Sequence, residues 1–324
     1  MDLSVIIPVY NGEKTLSRAL DSLFRHAPRE LEWEAVLVND GSADSSLSVC
    51  EEYRKRFPEK IRLLSRENRG VGATRTEGLA AAAGEYTTFL DCDDYYLPAF
   101  SGVGAILKEK KPDILFFDSC FAYDEKEPLP YPAGDFAGGF VPPQKGILSM
   151  PGPWNKIVKK SLYEKGSLTF PEGIWYEDLA TCPALFRFAD PKKIYYLKET
   201  LHAYYQSEHS IIRGEGYREG WKDIVPALSI LADRLGEEYR QEAEYLAWFH
   251  LYRGYAWKFL EYGKTEEIKA FRVFMKHRFP DWKKNPYIRS APVKEQITSR
   301  MLSMGLTHLL SIRQKKEIKS NDEM

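Results

Sequence analysis

Three carboxylates in four residues, Asp91-Cys92-Asp93-Asp94, follow directly on the apolar run Tyr86-Thr87-Thr88-Phe89-Leu90. Such a run reads as a buried strand, and in an open α/β sheet ligands bind beyond the strands' carboxyl ends. Acids crowded there repel one another unless a cation sits among them. Carboxylate oxygens suit a hard divalent cation, which typically takes substrate phosphate oxygens as well. The chemistry implied is neutralisation of charge building on a leaving diphosphate. A solvated acidic turn is the plainer alternative, and the position at a strand end weighs against it.

Further groups have types and spacing suited to chemistry. Asp40, in Val38-Asn39-Asp40-Gly41-Ser42, can accept the imide N–H of a uracil or a sugar hydroxyl; a side-chain-bonded turn would look the same. The loop 67–75 carries Gly70, Gly72, Arg69 and Arg75, which suit an anion at a helix start. It is not the dinucleotide fingerprint, and the turn after the first strand lacks that fingerprint too, which argues against an NAD enzyme. Trp175-Tyr176-Glu177-Asp178 opens a helix, where acids either cap or serve as the base for a weak sugar-hydroxyl nucleophile. Trp154-Asn155-Lys156 and Trp175 offer aromatic faces for a sugar ring, or simply core. His202, His209 and Arg213 follow later in the chain and are candidates for a late metal ligand or a diphosphate contact.

These groups need elements to hold them. Residues 3–9, 34–38, 61–64 and 86–90 read as buried strands, and 14–26, 45–57 and 72–83 as the helices between them. Strand and helix in alternation predict βαβ units and a mostly parallel sheet. Residues 112–119 read as a further strand, 128–143 as a Pro/Gly-rich loop, 154–165 and 179–188 as helices, and 193–197 and 201–205 as short strands. From about 216 the pattern turns helical, at 221–235, 237–262, 265–277 and 293–313. The expected organisation is an α/β part over 1–215 and a helical region over 216–324.

Composition adds exclusions. The net charge of −1 provides no global field for nucleic acid, so nucleic acid is not an expected partner. The four cysteines form no CxxC and read as free thiols of a reducing compartment. No run approaches the roughly 18 apolar residues of a membrane span, and the start lacks the marks of a signal peptide. The expected location is the cytoplasm.

In their order and spacing these segments resemble glycosyltransferase family 2. Ser4 to Asn11 looks like its opening strand, Val38 to Ser42 its nucleoside turn, Asn68 to Arg75 its third-helix loop, Asp91 to Asp94 its DxD motif, and Tyr176-Glu177-Asp178 its base-bearing ED motif. The resemblance covers about residues 3–215. It implies a GT-A fold and single displacement, with inversion, from a nucleotide-diphosphate sugar, UDP being favoured. By position it places Pro8, Tyr10 and Asp40 at the nucleoside and Arg75 near the donor, with Glu13 and Cys92 counted beside them. Asp91 would face the donor, Asp93 would hold Mg²⁺ or Mn²⁺, and Asp178 would be the base with Glu177 next to it. Trp154, Asn155, Lys156, Trp175, His209 and Arg213 remain acceptor or loop candidates. Asn39 and Thr76 depart from the usual pattern, and no QxxRW follows the ED motif, which favours one sugar per encounter.

The acceptor implied is a saccharide or a lipid-linked saccharide, as in bacterial surface polysaccharide synthesis. In the last helix Ile297, Met301, Met304 and 306–310 are apolar, and Arg300, Arg313, Lys315, Lys316 and Lys319 are basic. Such a helix suits a membrane interface, its own domain or a second subunit. Two other functions fit the acids less well. A non-catalytic sugar- or nucleotide-binding module need not keep both metal acids and base. A sugar nucleotidyltransferase would carry a long glycine-rich basic loop where Tyr10 to Lys14 stand.

Overall fold

The computed structural model describes residues 1–206 and 216–310. Its first half is built on strands with both faces covered. β1 (Leu3–Val9) and β2 (Trp33–Asp40) are buried along their whole length, as continuous apolar runs between helical layers must be. β3 (Ile61–Arg66), β2, β1 and β4 (Tyr86–Phe89) pair in parallel in that order. The helices α1 (Leu16–His26), α2 (Ser46–Arg56) and α3 (Val71–Ala81) connect them, and the carboxyl ends of β1, β2 and β4 come to one edge.

The second half of the sheet is mixed. After β5 (Tyr95–Tyr96) and α4 (Val103–Lys110) comes β6 (Ile114–Ala122). β7 (Leu129–Tyr131), β8 (Gly139–Phe140), α5 (Pro143–Ile147), β9 (Lys156–Lys159), α6 (Lys160–Lys165), α7 (Glu177–Phe188) and β10 (Ile194–Tyr205) follow. β9 runs antiparallel between β4 and β6, and β10 lies parallel to β6. The described residues thus form a ten-stranded sheet. The α/β expectation holds. The helix expected over 154–165 does not: its first part is a tight turn, Pro153–Asn155, and then β9. Ile157 and Val158 are buried there, because two waiting strand edges outweigh a short helical pattern. The two strands expected at 193–205 are one, β10, whose pairing with β6 shifts register between Leu197 and His202.

By internal contacts the chain divides into Met1–Gly173 with Glu177–Gly214, and Ile174–Tyr176 with Glu215–Met324. The second unit is helical: α8 (Ile224–Leu235), α9 (Arg240–Trp248), a π-helical turn (Phe249–Tyr255), α10 (Ala256–Glu261), α11 (Thr265–Arg278), α12 (Pro286–Arg289) and α13 (Val293–Met304). Its core includes Trp248, Phe259, Phe271 and Leu302. The helix expected over 293–313 is broken after Met304, where Gly305 adopts a left-handed φ of 83°, and residues 307–310 are helical again; Arg313, Lys315, Lys316 and Lys319 lie outside the described residues. α13 buries Thr298, Ser299 and Leu302, with Ser299 accepting from Trp248 Nε1 at 2.8 Å, while Ile297 and Met304 face outward. Among the described residues no helix is long and apolar enough to cross a membrane.

α3 sits unusually close to the sheet. A Cβ on Gly78 would stand 2.3 Å from Ile6 Cγ2, in the fully buried β1. Overpacking of that kind costs about 1–3 kcal/mol. Gly78→Ala should therefore lower the urea midpoint of unfolding with an unchanged m-value. An unshifted midpoint would show that α3 does not rest on β1 through this glycine.

Candidate active site

The loops after β1 and β2 are stitched to each other. Gly12 N donates to Ser46 Oγ at 2.8 Å, Glu13 N to Asp44 Oδ2 at 3.0 Å, and Ser45 N to Glu13 Oε2 at 3.1 Å. Glu13, expected among the donor contacts, thus anchors the start of α2. Pro8 is buried in β1, and Tyr10 is exposed just beyond its end. Cys92 packs against Gly12, with its thiol pKa pushed up by burial and then by Asp93.

Asp40 is 3% exposed at the end of β2. Its Oδ1 accepts from Arg66 Nη1 and, at 2.9 Å, from Arg69 N; its Oδ2 accepts from Gly70 N at 2.9 Å. The carboxylate expected to meet a uracil is engaged in shaping the loop before α3. Gly41 permits this at a φ of 67°, since a Cβ there would lie 2.7 Å from Asn68 N.

The acid cluster lies at the end of β4. Asp91, Cys92 and Asp93 are half-buried and Asp94 is fully buried. Burial first, and then the charges of Asp94 and Asp91, push Asp93 up to about 7. Asp94 is raised by burial and by Asp91. Its Oδ1 accepts Tyr205 N at 2.8 Å. Its Oδ2 lies 3.1 Å from His202 Nε2, in an orientation that makes no hydrogen bond. His202 is fully buried, and burial holds its pKa down to about 3, so it is neutral. Arg18, which the sequence reading passed over, donates to the Asp93 carbonyl at 2.8 Å, with its guanidinium 3.8 Å from the Tyr205 ring centre.

This donor set fits a hard divalent cation. It offers oxygen ligands in a place where burial, and then the charge of neighbouring acids, already disfavours ionisation of Asp93 and Asp94. Among the described residues no group of three or more His, Cys, Asp or Glu is arranged to hold a metal unaided. A cation at Asp93 would draw further oxygens from a phosphate-bearing ligand.

Arg75 joins the acids to α7. Its side chain is 6% exposed. Nη2 donates to Asp91 Oδ1 at 2.8 Å and Oδ2 at 3.1 Å, and Nη1 donates to Glu177 Oε1. The guanidinium lies beside the rings of Phe89 and Phe170. Burial works against its charge, but Asp91, Glu177 and Asp178 outweigh burial and hold it above its ordinary pKa. The sequence reading put Arg75 near the donor as a phosphate contact. In the structure its head group is committed to carboxylates, because only a cation lets them share a buried space. Glu177 is pushed up to about 7 by burial, against the pull of Arg75.

Asp178 is half-buried, its Oδ1 accepting Leu179 N at 2.7 Å. Burial, opposed by Arg75, raises its pKa. It opens into a pocket of about 400 Å³ walled by Phe121, Tyr131, Trp154, Tyr204, Gln206 and the loop 150–152. The rings form a ladder: Phe121 stacks on Tyr131 at 4.2 Å, and Trp154 stacks on Tyr204 at 5.4 Å and on His202 at 4.6 Å.

The structure therefore brings Asp91, Asp93, Arg75, Glu177 and Asp178 into one neighbourhood, with Trp154 lining the same pocket as Asp178. Asn155 and Lys156 are buried beneath the pocket. Trp175 belongs elsewhere: its N–H donates to Asp223 Oδ2 at 2.9 Å, and its indole lies against Gly220 in the helical unit. His209 and Arg213 lie outside the described residues. Tyr131 and Phe121 had no signal in the sequence; Tyr204, two residues from His202 on one strand face, had a weak one.

A model described as glycosyl transferase family 2 matches residues 4–167. The chain is 29% identical over 229 residues to the uncharacterized glycosyltransferase EpsJ of Bacillus subtilis, a match covering 64% of this chain and 62% of that protein. It is 27% identical over 243 residues to glycosyltransferase GlyG of Streptococcus pneumoniae, covering 70% and 78%. In fold it is similar to residues 1–349 of S. aureus TarS in complex with UDP-GlcNAc, with a TM-score of 0.75, 22% identity, and 95% and 92% of the chains covered.

Removing one partner of a buried ion pair costs about 3–5 kcal/mol, because the remaining charge is left uncompensated. Arg75→Met should destabilise the fold on that scale in urea titration, and Asp91→Asn in that background should recover part of the loss. If the double variant is no more stable than the single, the bridge is not the origin of the effect.

Proposed function

Because the chain belongs to glycosyl transferase family 2, we propose that it transfers one sugar, with inversion, from a nucleotide-diphosphate donor to a hydroxyl of a saccharide or lipid-linked saccharide. UDP is the proposed nucleotide, a choice supported by the TarS complex with UDP-GlcNAc. Relatives named as poly(ribitol-phosphate) glycosyltransferases support a role in surface polysaccharide synthesis. Residues 1–215 would carry the reaction, and 216–324 the helical region. The enzyme would work in the cytoplasm, with 293–313 as its route to the membrane face or to a second subunit.

The observation that carries this reading is the Arg75 bridge. It ties the first acid of the metal motif to the residue next to the proposed base. Mg²⁺ or Mn²⁺, held by Asp93 and the diphosphate, would offset charge on the leaving group. The chain's own residues do the rest. Asp178 takes the proton of the acceptor hydroxyl as that oxygen attacks the anomeric carbon. Arg75 keeps Glu177 and Asp91 from repelling Asp178 out of place. Trp154 and Tyr204 give the acceptor ring an apolar face beside the base and keep water away from it.

Two outcomes are expected. Calorimetry should find a nucleoside diphosphate that binds wild type tightly only with Mn²⁺, and Asp93→Ala should abolish that Mn²⁺-dependent binding; equal binding without the cation, or by the variant, would remove Asp93 from the site. Asp178→Asn should lower kcat by a factor of about 10²–10⁴ with donor affinity kept. In wild type the acid limb of kcat/KM should lie above the ordinary aspartate value of about 3.9, since the base must be ionised and burial raises its pKa. A variant that turns over normally would refute the base assignment.

A further inference from the structure

The aromatic pocket depends on a buried ammonium. Lys156 opens β9 opposite Phe116 and is 2% exposed. An ammonium is tolerated in such a place only when its protons find acceptors. Here all three do: Nζ donates to Met150 O at 2.6 Å, Gly152 O at 2.9 Å and Asn155 Oδ1 at 2.5 Å. Two of those acceptors are main-chain carbonyls of the loop that walls the pocket. Three protons match three acceptors, so a neutral amine would turn a lone pair toward an oxygen. Burial lowers the pKa to about 8, which leaves the group charged at neutral pH; Asp178 and Cys182 are the titratable groups near it.

The same loop is held from two other directions. Met150 N donates to Ala133 O at 3.0 Å. Gly152 lies flat on the Trp154 indole, where a Cβ would stand 2.6 Å from Cε2. The distance between this loop and the rings of Tyr131 and Tyr204 is the width available to an acceptor.

We propose that Lys156 is a positioning residue for acceptor recognition: it clamps the loop 150–152 against Trp154 and so sets the width of the slot beside Asp178 into which a pyranose ring slides. It acts through the loop and takes no part in proton transfer. The inference rests on the reading of this pocket as the acceptor site. It explains why a lysine, among the side chains most costly to bury, occupies a position two apolar neighbours in β9 would suit. It also separates acceptor fit from donor binding, since none of the three carbonyl-type acceptors belongs to the acid cluster.

The test uses the full chain, the UDP-sugar it turns over, and the p-nitrophenyl hexopyranoside that wild type glycosylates fastest. Lys156→Met keeps the bulk and loses the donors. Gly152→Ala pushes the same wall from the other side and leaves the lysine alone. Both should raise the acceptor KM by about tenfold or more, with kcat changed by less than about threefold and donor Kd within about twofold. If Lys156→Met gives no cooperative melt, Gly152→Ala decides alone. Trp154→Ala separates the two levels of the argument. If it raises acceptor KM while the folded wall variants match wild type, the clamp is overturned and the acceptor pocket stands. If it leaves acceptor KM unchanged, the pocket reading itself falls, and the clamp with it.

Discussion

A single buried positive charge makes the rest of the site possible. Asp91, Glu177 and Asp178 come from the end of β4 and the start of α7, and burial raises the pKa of Glu177 and Asp178. Without a cation between them, such acids would protonate or move apart. Arg75 supplies the cation from α3, and its planar fork lets one nitrogen face Asp91 and the other Glu177. Lysine, a point charge, would not span the same pair. The β4 end, the α3 loop and the first turn of α7 are therefore interdependent parts of one electrostatic unit.

The buried polar groups around it follow one pattern: each is expensive alone and is satisfied largely by main chain. Asp40 collects the N–H groups of the α3 loop, Lys156 the carbonyls of the loop before β9, and Glu34 and Ser4 the amides at Ala83 and Gly84. Ligand-contacting segments are loops, and loops lack the internal ladders of helix and sheet. Pinning them with buried charged side chains gives rigid walls without regular structure. The pattern has exceptions: Asp94 Oδ2, both ring nitrogens of His202, Arg75 Nε and Asn155 Nδ2 are among the buried atoms without a hydrogen bond.

The strand ends and the acids at them were legible, because β1, β2 and β4 are buried on both faces and carry short runs of mostly apolar and β-branched residues. The parallel half of the sheet could be read from that alone, and so could the position of Asp91 to Asp94. What was illegible depended on partners far away in the chain. Nothing local tells that Arg75 will face Glu177 rather than a phosphate, or that Asp40 will turn inward to Arg69 and Gly70. Lys156 was read as part of a helix, since a polar side chain two residues after Trp154 gives no hint that β9 will run antiparallel between β4 and β6. The pocket needed Tyr131 and Tyr204 from β7 and β10, two strands distant in the chain that both pair with β6. The helix read over 293–313 is interrupted at Gly305, because one left-handed glycine breaks an otherwise continuous apolar pattern.

The three residues Ile174–Tyr176 count by their contacts with the helical unit, although the chain on either side counts with the sheet. Trp175 is held by Asp223 and Gly220, and Tyr176, with a left-handed φ of 65°, meets the ring of Tyr255. A non-glycine residue keeps such a backbone only when its surroundings enforce it. The units are thus interleaved rather than strung in series, and no single cut separates them cleanly. An excised sheet ending before 216 would lose the anchors of the segment leading into α7. A truncation or fusion that treats residues from 216 on as a detachable appendix would leave residues 174–176 without the partners that hold them.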